Sequence, residues 1–179
     1  MKFVRRMRMV SALILFAFAV PAFAQVAAAQ PEAILKPADM GKILPGSVFF
    51  RGQSATTQLR NSGGVRFADG YLMFAALVDN SGYSTGIQEK YQAYFVTEVP
   101  LNIEGQRLGP GAYGVGILRT GTDLKFVVMN LAAQDVFQTA ATNDAKLHRP
   151  TPLQVVAGNS AGKYRLYLGR NYVEFARAQ

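Results

Sequence analysis

Short segments of alternating residues, separated by turn residues, are the feature that most limits the folds open to this chain. Residues 91–99 place Tyr91, Ala93, Phe95, Thr97 and Val99 on one side and the intervening residues on the other. Successive side chains of a β-strand point to opposite faces of a sheet, so this pattern predicts a strand. Turn signals recur about every 8–12 residues, which is typical of antiparallel sandwiches and barrels.

The same criteria predict the other elements. Asn61 to Gly64 are read as a turn, and Asp69-Gly70 is a hairpin signal. Residues 71–78 and 126–129 are apolar enough to be buried on both faces, and residues 71–78 fit either a strand or a short core helix. The predicted strand segments are residues 48–51, 56–60 (a second strand or a continuation of the first), 65–67, 71–78, 91–99, 101–104 (which continues the alternation of 91–99), 112–119, 124–131, 153–156, 162–169 and 172–177. We therefore expect a mainly β fold, an antiparallel β-barrel or β-sandwich of about 8–10 short strands with at most one short helix. Residues 132–145 are the candidate for that helix, and strand remains the alternative for them.

The N-terminus has the three parts of a cleavable export signal. Four basic residues precede an apolar stretch over residues 10–20, and Ala22-Phe23-Ala24 follows Pro21 as a small-x-small cleavage site. The stretch is about half of the roughly 20 residues needed to span a bilayer. We therefore expect residues 1–24 to be a signal peptide and the mature protein to begin at Gln25, in the periplasm or outside the cell.

Composition after this cleavage is typical of one small domain. The 19 basic residues fall to 15 against 11 acidic ones, a net charge of +4, and no dense basic cluster indicates nucleic-acid binding. The chain has no cysteine, which excludes disulfides and thiolate metal sites. Residues 25–46, punctuated by three prolines, are expected to form a flexible leader with at most one helical turn, and residues 47–179 a single β domain.

Two motifs match catalytic or cofactor patterns by letters alone. Gly82-Tyr83-Ser84-Thr85-Gly86 matches the G-x-S-x-G pattern of a hydrolase nucleophile elbow, and His148, the only histidine, would be its base. A nucleophile elbow needs a helix after the serine, whereas the segment after Ser84 is predicted to be a strand. Residues 109–114 match G-x-G-x-x-G but lead into a strand, whereas a dinucleotide fingerprint leads into a helix. We therefore assign no catalytic residue, no cofactor and no metal ligand, and read Ser84 as a loop residue.

Tyrosines supply the candidate binding residues. Tyr83 lies in the polar connection of residues 79–90, and the other tyrosines follow it or lie on predicted strands. Tyrosine combines an apolar ring with a hydroxyl that needs a partner, so it suits a pocket wall as well as a strand interior. The hypothesis is a pocket at one end of the fold, covered by residues 79–90. Its candidate ligand-binding residues are Tyr83, Ser84, Tyr91, Tyr94, Tyr113 and His148.

Residues 101–113 read Leu-Asn-Ile-Glu-Gly-Gln-Arg-Leu-Gly-Pro-Gly-Ala-Tyr. This stretch, continued through Asn130, resembles a hairpin of an uncharacterised family of exported bacterial β domains, in which an alternating strand enters a Leu-x-x-Gly-x-Tyr turn. The resemblance implies a β fold and no particular chemistry.

Four functions are compatible with these features. The first is a soluble carrier of a small apolar or amphipathic ligand such as a lipid, and the second is a structural or protein-interaction module of the cell envelope. An enzyme would depend on Ser84 or His148. An outer-membrane barrel would need strands of about 9–11 residues that are apolar outside and polar within, and residues 71–78 and 126–129 do not alternate in that way.

Overall fold

A computed structural model describes residues 31–179, and residues 1–30, including the predicted signal peptide, lie outside the described part. Two short helices are present, α1 (Pro37–Met40) and α2 (Thr85–Lys90). The strands are β1 (Ala33–Leu35), β2 (Ser47–Phe50), β3 (Gln53–Arg66), β4 (Leu72–Val78), β5 (Ala93–Thr97), β6 (Leu101–Ile103), β7 (Gln106–Leu108), β8 (Gly111–Thr120), β9 (Asp123–Met129), β10 (Asp135–Ala140), β11 (Thr142–Asn143), β12 (Leu153–Ala157), β13 (Lys163–Leu168) and β14 (Asn171–Arg177). None of the helices in residues 31–179 is long and apolar enough to cross a bilayer.

The strands form two antiparallel sheets. The first sheet has the order β1-β3-β4-β5-β8-β9-β10, with β2 paired to the other end of β3. The second sheet has the order β12-β13-β14-β6-β7, with β11 paired to β14. The two sheets do not close into one barrel within the described residues, so the predicted mainly β fold is confirmed as a sandwich.

The main core lies between the sheets. Phe95, Phe126 and Val115 of the first sheet pack there with Leu166 and Phe175 of the second, and all are at most 2% exposed. These residues alternate with outward-facing ones along each strand, as the sequence pattern predicts.

The first sheet is also covered on its other face. Along β9, Phe126 and Val128 enter the main core, whereas Val127 and Met129 enter an outer core beneath α2 and the β2–β3 hairpin. Helix α1 covers a neighbouring part of this face through Met40. Burial on both faces explains the apolar runs at residues 72–78 and 126–129, and it resolves residues 71–78 as a strand.

The expected flexible leader is corrected by the structure. Residues 33–35 form β1, which pairs with β3, and Leu35 and Met40 are at most 1% exposed. The described β domain therefore begins at Ala33, because two apolar side chains in a proline-punctuated segment are enough to anchor it to the first sheet. The expected helical turn is α1.

Three further predictions of local structure were wrong. The predicted turn at residues 61–64 lies within β3, which continues past a register shift between Thr57 and Ser62. Residues 135–140 and 142–143 are strands rather than helix, because their backbones pair with β9 and β14. The connection 79–90 contains α2, so there are two short helices where at most one was expected. Very short strands such as β6, β7 and β11 raise the number of strands within residues 31–179 to 14.

Gly116→Ala is predicted to destabilise the fold by about 1–3 kcal/mol, because a Cβ at this position would lie against the carbonyl oxygen of Lys90 at the end of α2. The matched control is Gly86→Ala within α2. No atom lies within 4 Å of its added Cβ, and alanine favours helix, so stability should stay equal or rise. Urea unfolding measures both changes, and equal stabilities for the two variants would contradict the close approach of α2 to β8.

Candidate functional site

Two of the predicted pocket tyrosines pack against each other in a tyrosine cluster, defined here as Phe50, Tyr83 and Tyr91. The Phe50 and Tyr91 rings are stacked with centroids 3.9 Å apart, and Tyr83 meets both rings edge-on. Tyr83 is 6% exposed and Tyr91 is fully buried. Gly114 makes room for the stack, since a Cβ there would lie 2.5 Å from the Phe50 ring. In this structure the three rings are part of the outer core, and they pack together where a pocket was predicted.

The hydroxyl groups of the two tyrosines have different surroundings. Tyr83 Oη lies 3.0 Å from the carbonyl oxygens of both Phe50 and Gln53, so its proton links the β2–β3 hairpin to the segment before α2. Tyr91 Oη is buried and has no hydrogen-bond partner among the described residues. Desolvation by burial raises the pKa of both phenols, and most strongly that of Tyr91.

The other two tyrosines lie on opposite faces of the first sheet. Tyr94, half-buried on β5, packs against the outer core, and burial raises its pKa. Tyr113, half-buried on β8, packs against the main core and donates a hydrogen bond to the carbonyl of Gly109 at 2.9 Å. The six candidate residues therefore do not converge on one site: the structure brings Tyr83, Tyr91 and Tyr94 together and places Tyr113 elsewhere.

Ser84 and His148 are both exposed and belong to different parts of the fold. Ser84 immediately precedes α2, so the segment after it is a helix and the sequence-based expectation of a strand was wrong. His148 lies in the connection between β11 and β12, next to the second sheet. No hydrogen bond joins the two side chains among the described residues, so this structure does not pair His148 with Ser84 as a base with its nucleophile.

The local geometry also bears on the G-x-G-x-x-G motif and on metal binding. Residues 109–114 lead into β8, so no helix N-terminus meets the glycines as dinucleotide binding requires. Within residues 31–179, no group of three or more histidine or acidic side chains is close enough together to hold a metal ion.

An apolar cleft of about 400 Å³ lies where the edges of the two sheets meet. Its walls come from β1 and the start of α1, from residues 60–63 of β3 at its register shift, and from β12 together with Thr151, which lies two residues before it. The residues that line it are Ile34, Leu35, Lys36, Pro37, Arg60, Ser62, Gly63, Thr151, Leu153, Gln154, Val155 and Val156. None of the six residues predicted from the sequence is among them.

Gly63 determines how closely the walls approach. A Cβ at Gly63 would lie 3.3 Å from both the Leu35 carbonyl oxygen and the Val155 amide nitrogen. Ser62 is 1% exposed and donates a hydrogen bond from its hydroxyl to the Leu59 carbonyl. The buried hydroxyl therefore has a partner within β3. β12 therefore comes close to β3 without a side chain between them, and the cleft opens beside this contact.

Two cations lie at the mouth of the cleft. Lys36 and Arg60 are exposed, and neither side chain forms an ion pair with another described residue. The Asp39 carboxylate accepts a hydrogen bond from the backbone N–H of Lys36 at 2.8 Å and stays with the backbone of α1. The cleft thus combines an apolar lining with positive charge at its edge.

Sequence reasoning missed this site. The relevant signals were Gly63-Gly64, which resembled a turn, and Pro150 and Pro152, which mark the approach to an edge strand. Their meeting depends on the contact between β12 and β3, which are about 90 residues apart in the chain.

No protein family, curated protein or solved structure matches this chain in sequence or fold.

Tyr83→Phe and Tyr91→Phe are a matched pair with opposite expected results. Loss of the Tyr83 hydroxyl leaves the buried Phe50 carbonyl and the partly buried Gln53 carbonyl without this donor and should lower the free energy of unfolding by about 1–2 kcal/mol. Loss of the Tyr91 hydroxyl removes a buried group without a partner, and the free energy of unfolding should stay equal or rise. Denaturant unfolding distinguishes them, and a larger loss for Tyr91→Phe would show that its hydroxyl has a partner in solution.

Stability should fall at alkaline pH. Burial raises the pKa of several tyrosines above the ordinary value of 10.0, so the folded state keeps protons that the unfolded state releases above about pH 10. This contribution to stability is complete below pH 10 and is lost as the pH rises further. These tyrosines are Tyr83, Tyr91, Tyr94, Tyr113, Tyr164 and Tyr167. Circular dichroism and tyrosinate absorbance followed together check this: tyrosinate absorbance that rises to completion without unfolding would contradict it.

Proposed function

We propose that this protein binds a small amphipathic molecule with an anionic headgroup in the apolar cleft. The observation that carries the proposal is the cleft itself, about 400 Å³ between the edges of the sheets, which lies within the usual range of about 300–1,000 Å³ for ligand sites. Ile34, Leu153 and Val155 supply apolar surface, which favours an alkyl or similar chain.

The headgroup follows from the charges at the mouth. Lys36 and Arg60 line the cleft without ion-pair partners among the described side chains, so a carboxylate or phosphate there would meet two cations. A cationic headgroup would be repelled. A neutral one would gain only the apolar contact.

We also propose that the protein acts in the periplasm or outside the cell. The three-part signal in residues 1–24 supports export to the periplasm or the medium, and the resemblance of residues 101–130 to exported β domains agrees with it. We favour a carrier or sensor of an amphipathic molecule over a catalyst, because Ser84 and His148 lie in different parts of the fold and do not form a catalytic pair in this structure. An envelope interaction module is the second candidate, favoured by β10, a sheet edge on which Val136 is 46% exposed.

Calorimetric titration with dodecanoate and with dodecyltrimethylammonium tests the proposal. Dodecanoate should bind saturably with one site per chain, and the cationic probe should bind more weakly. The double variant Lys36→Gln/Arg60→Gln should weaken dodecanoate binding about fivefold, since the two exposed charges together contribute about 1 kcal/mol.

The matched control is Lys42→Gln/Arg119→Gln, which removes two exposed cations that do not line the cleft. This variant should bind dodecanoate as the native chain does. Methyl signals of Ile34, Leu153 and Val155 should shift in nuclear magnetic resonance spectra on binding. Absence of saturable binding would reject the cleft as a ligand site, and equal affinity for both probes would reject the anionic headgroup.

A further inference from the structure

The edge of the first sheet at β10 has no partner in the described part of the chain. β10 pairs with β9 on one side, and no other described backbone group bonds to residues 135–140. A row of unpaired N–H and C=O groups is a template for another strand, and proteins usually protect such edges with charges, prolines, short strands or covering segments.

Three of the other edge strands, β1, β7 and β12, carry such protection. β1 and β7 have three residues each, and β1 is followed by Lys36 and Pro37. β12 follows Pro152, and it lies against β3 and β1. In β10, by contrast, residues 136–140 contain no charge and no proline, and only the register shift at the start of the strand disturbs its edge.

We infer that β10 is the interface with a second copy of this chain, paired antiparallel across a two-fold axis near Gln138. Such pairing is isologous, so each copy offers the same strand and the first sheets of the two copies become continuous. With Gln138 opposite itself, the start of β10 in one copy faces the end of β10 in the other.

Charge complementarity favours this occupant. Asp135 begins β10, and Lys125 lies on β9 opposite Ala140, on the same face of the sheet as Asp135. A two-fold axis perpendicular to the sheet keeps both residues on that face. Asp135 of one copy then lies two strands away from Lys125 of the other copy, so their backbones are about 10 Å apart. The long lysine side chain can span this distance. Lys125 is exposed and has no ion pair with a described residue, whereas Asp135 also bonds to Lys90 at 3.0 Å.

Apolar contacts at the ends of the strand add to the pairing. Val136 is 46% exposed on β10, and Leu131, in the turn before it, is 44% exposed. Antiparallel pairing would cover Val136 with the end of the other copy's β10. The interface is small, so a reversible dimer is expected rather than an obligate one.

Sedimentation equilibrium over a range of protein concentrations tests the inference. The native protein should show a monomer–dimer equilibrium, and residues 135–140 should gain protection from amide hydrogen exchange as the concentration rises. A protein that stays monomeric at all accessible concentrations would overturn the inference.

Charge variants locate the interface. Gln138→Lys places two lysines together at the axis and should raise the dimer dissociation constant about fivefold, and Gln138→Glu should do the same with two carboxylates. A mixture of the two variants should form heterodimers that restore association. The control Gln106→Lys, on the edge strand β7 of the second sheet, should dimerise as the native chain does. A dimer unaffected by the Gln138 variants, or no gain on mixing them, would overturn pairing through β10.

Discussion

Burial of both faces of the first sheet is the constraint on which the rest of this structure depends. One face packs on the second sheet, and the other is covered by α1, α2 and the β2–β3 hairpin. Strand β9 is central to this arrangement because Phe126 and Val128 serve one core while Val127 and Met129 serve the other. A chain without disulfides gains much of its stability from apolar burial, and here the first sheet buries apolar side chains on both of its faces.

Covering the outer face requires close approach of backbone to backbone. Gly114 and Gly116 on β8 point toward this face, where Gly114 accommodates the Phe50–Tyr91 stack and Gly116 accommodates the end of α2. The tyrosines of this region thereby become packing residues: Tyr83 ties the hairpin to the segment before α2, and Tyr91 fills the space beneath it. In this structure Tyr83 and Tyr91, two of the six residues predicted to line a pocket, thus pack within the layer that covers the sheet.

The cleft proposed to bind a ligand lies at a different place, where the layer that covers the first sheet ends. β1 and α1 lie along one border of the first sheet, and β12 of the second sheet approaches the same border at Gly63. Beside this contact lies the apolar cleft, which Lys36 and Arg60 also line. The opposite border of the first sheet, at β10, has no cover in the described residues. The two borders thus suit different partners: a small amphipathic molecule in a cleft, and an extended strand at an open edge.

The sequence by itself determined the class of fold, because alternation in residues 91–99 and the apolar runs at residues 71–78 and 126–129 are local consequences of which faces a strand buries. Only the tertiary structure decided that residues 33–40 belong to the domain, that residues 61–64 continue a strand, and that α2 follows Ser84. Each of these depends on partners far along the chain: β1 needs the end of β3, and α2 packs against β8, where Gly116 makes room for it. The candidate site was beyond local reasoning for the same reason. Gly63 and Val155 carry no shared pattern in the sequence, and they meet only because packing of the two sheets brings strands about 90 residues apart into contact.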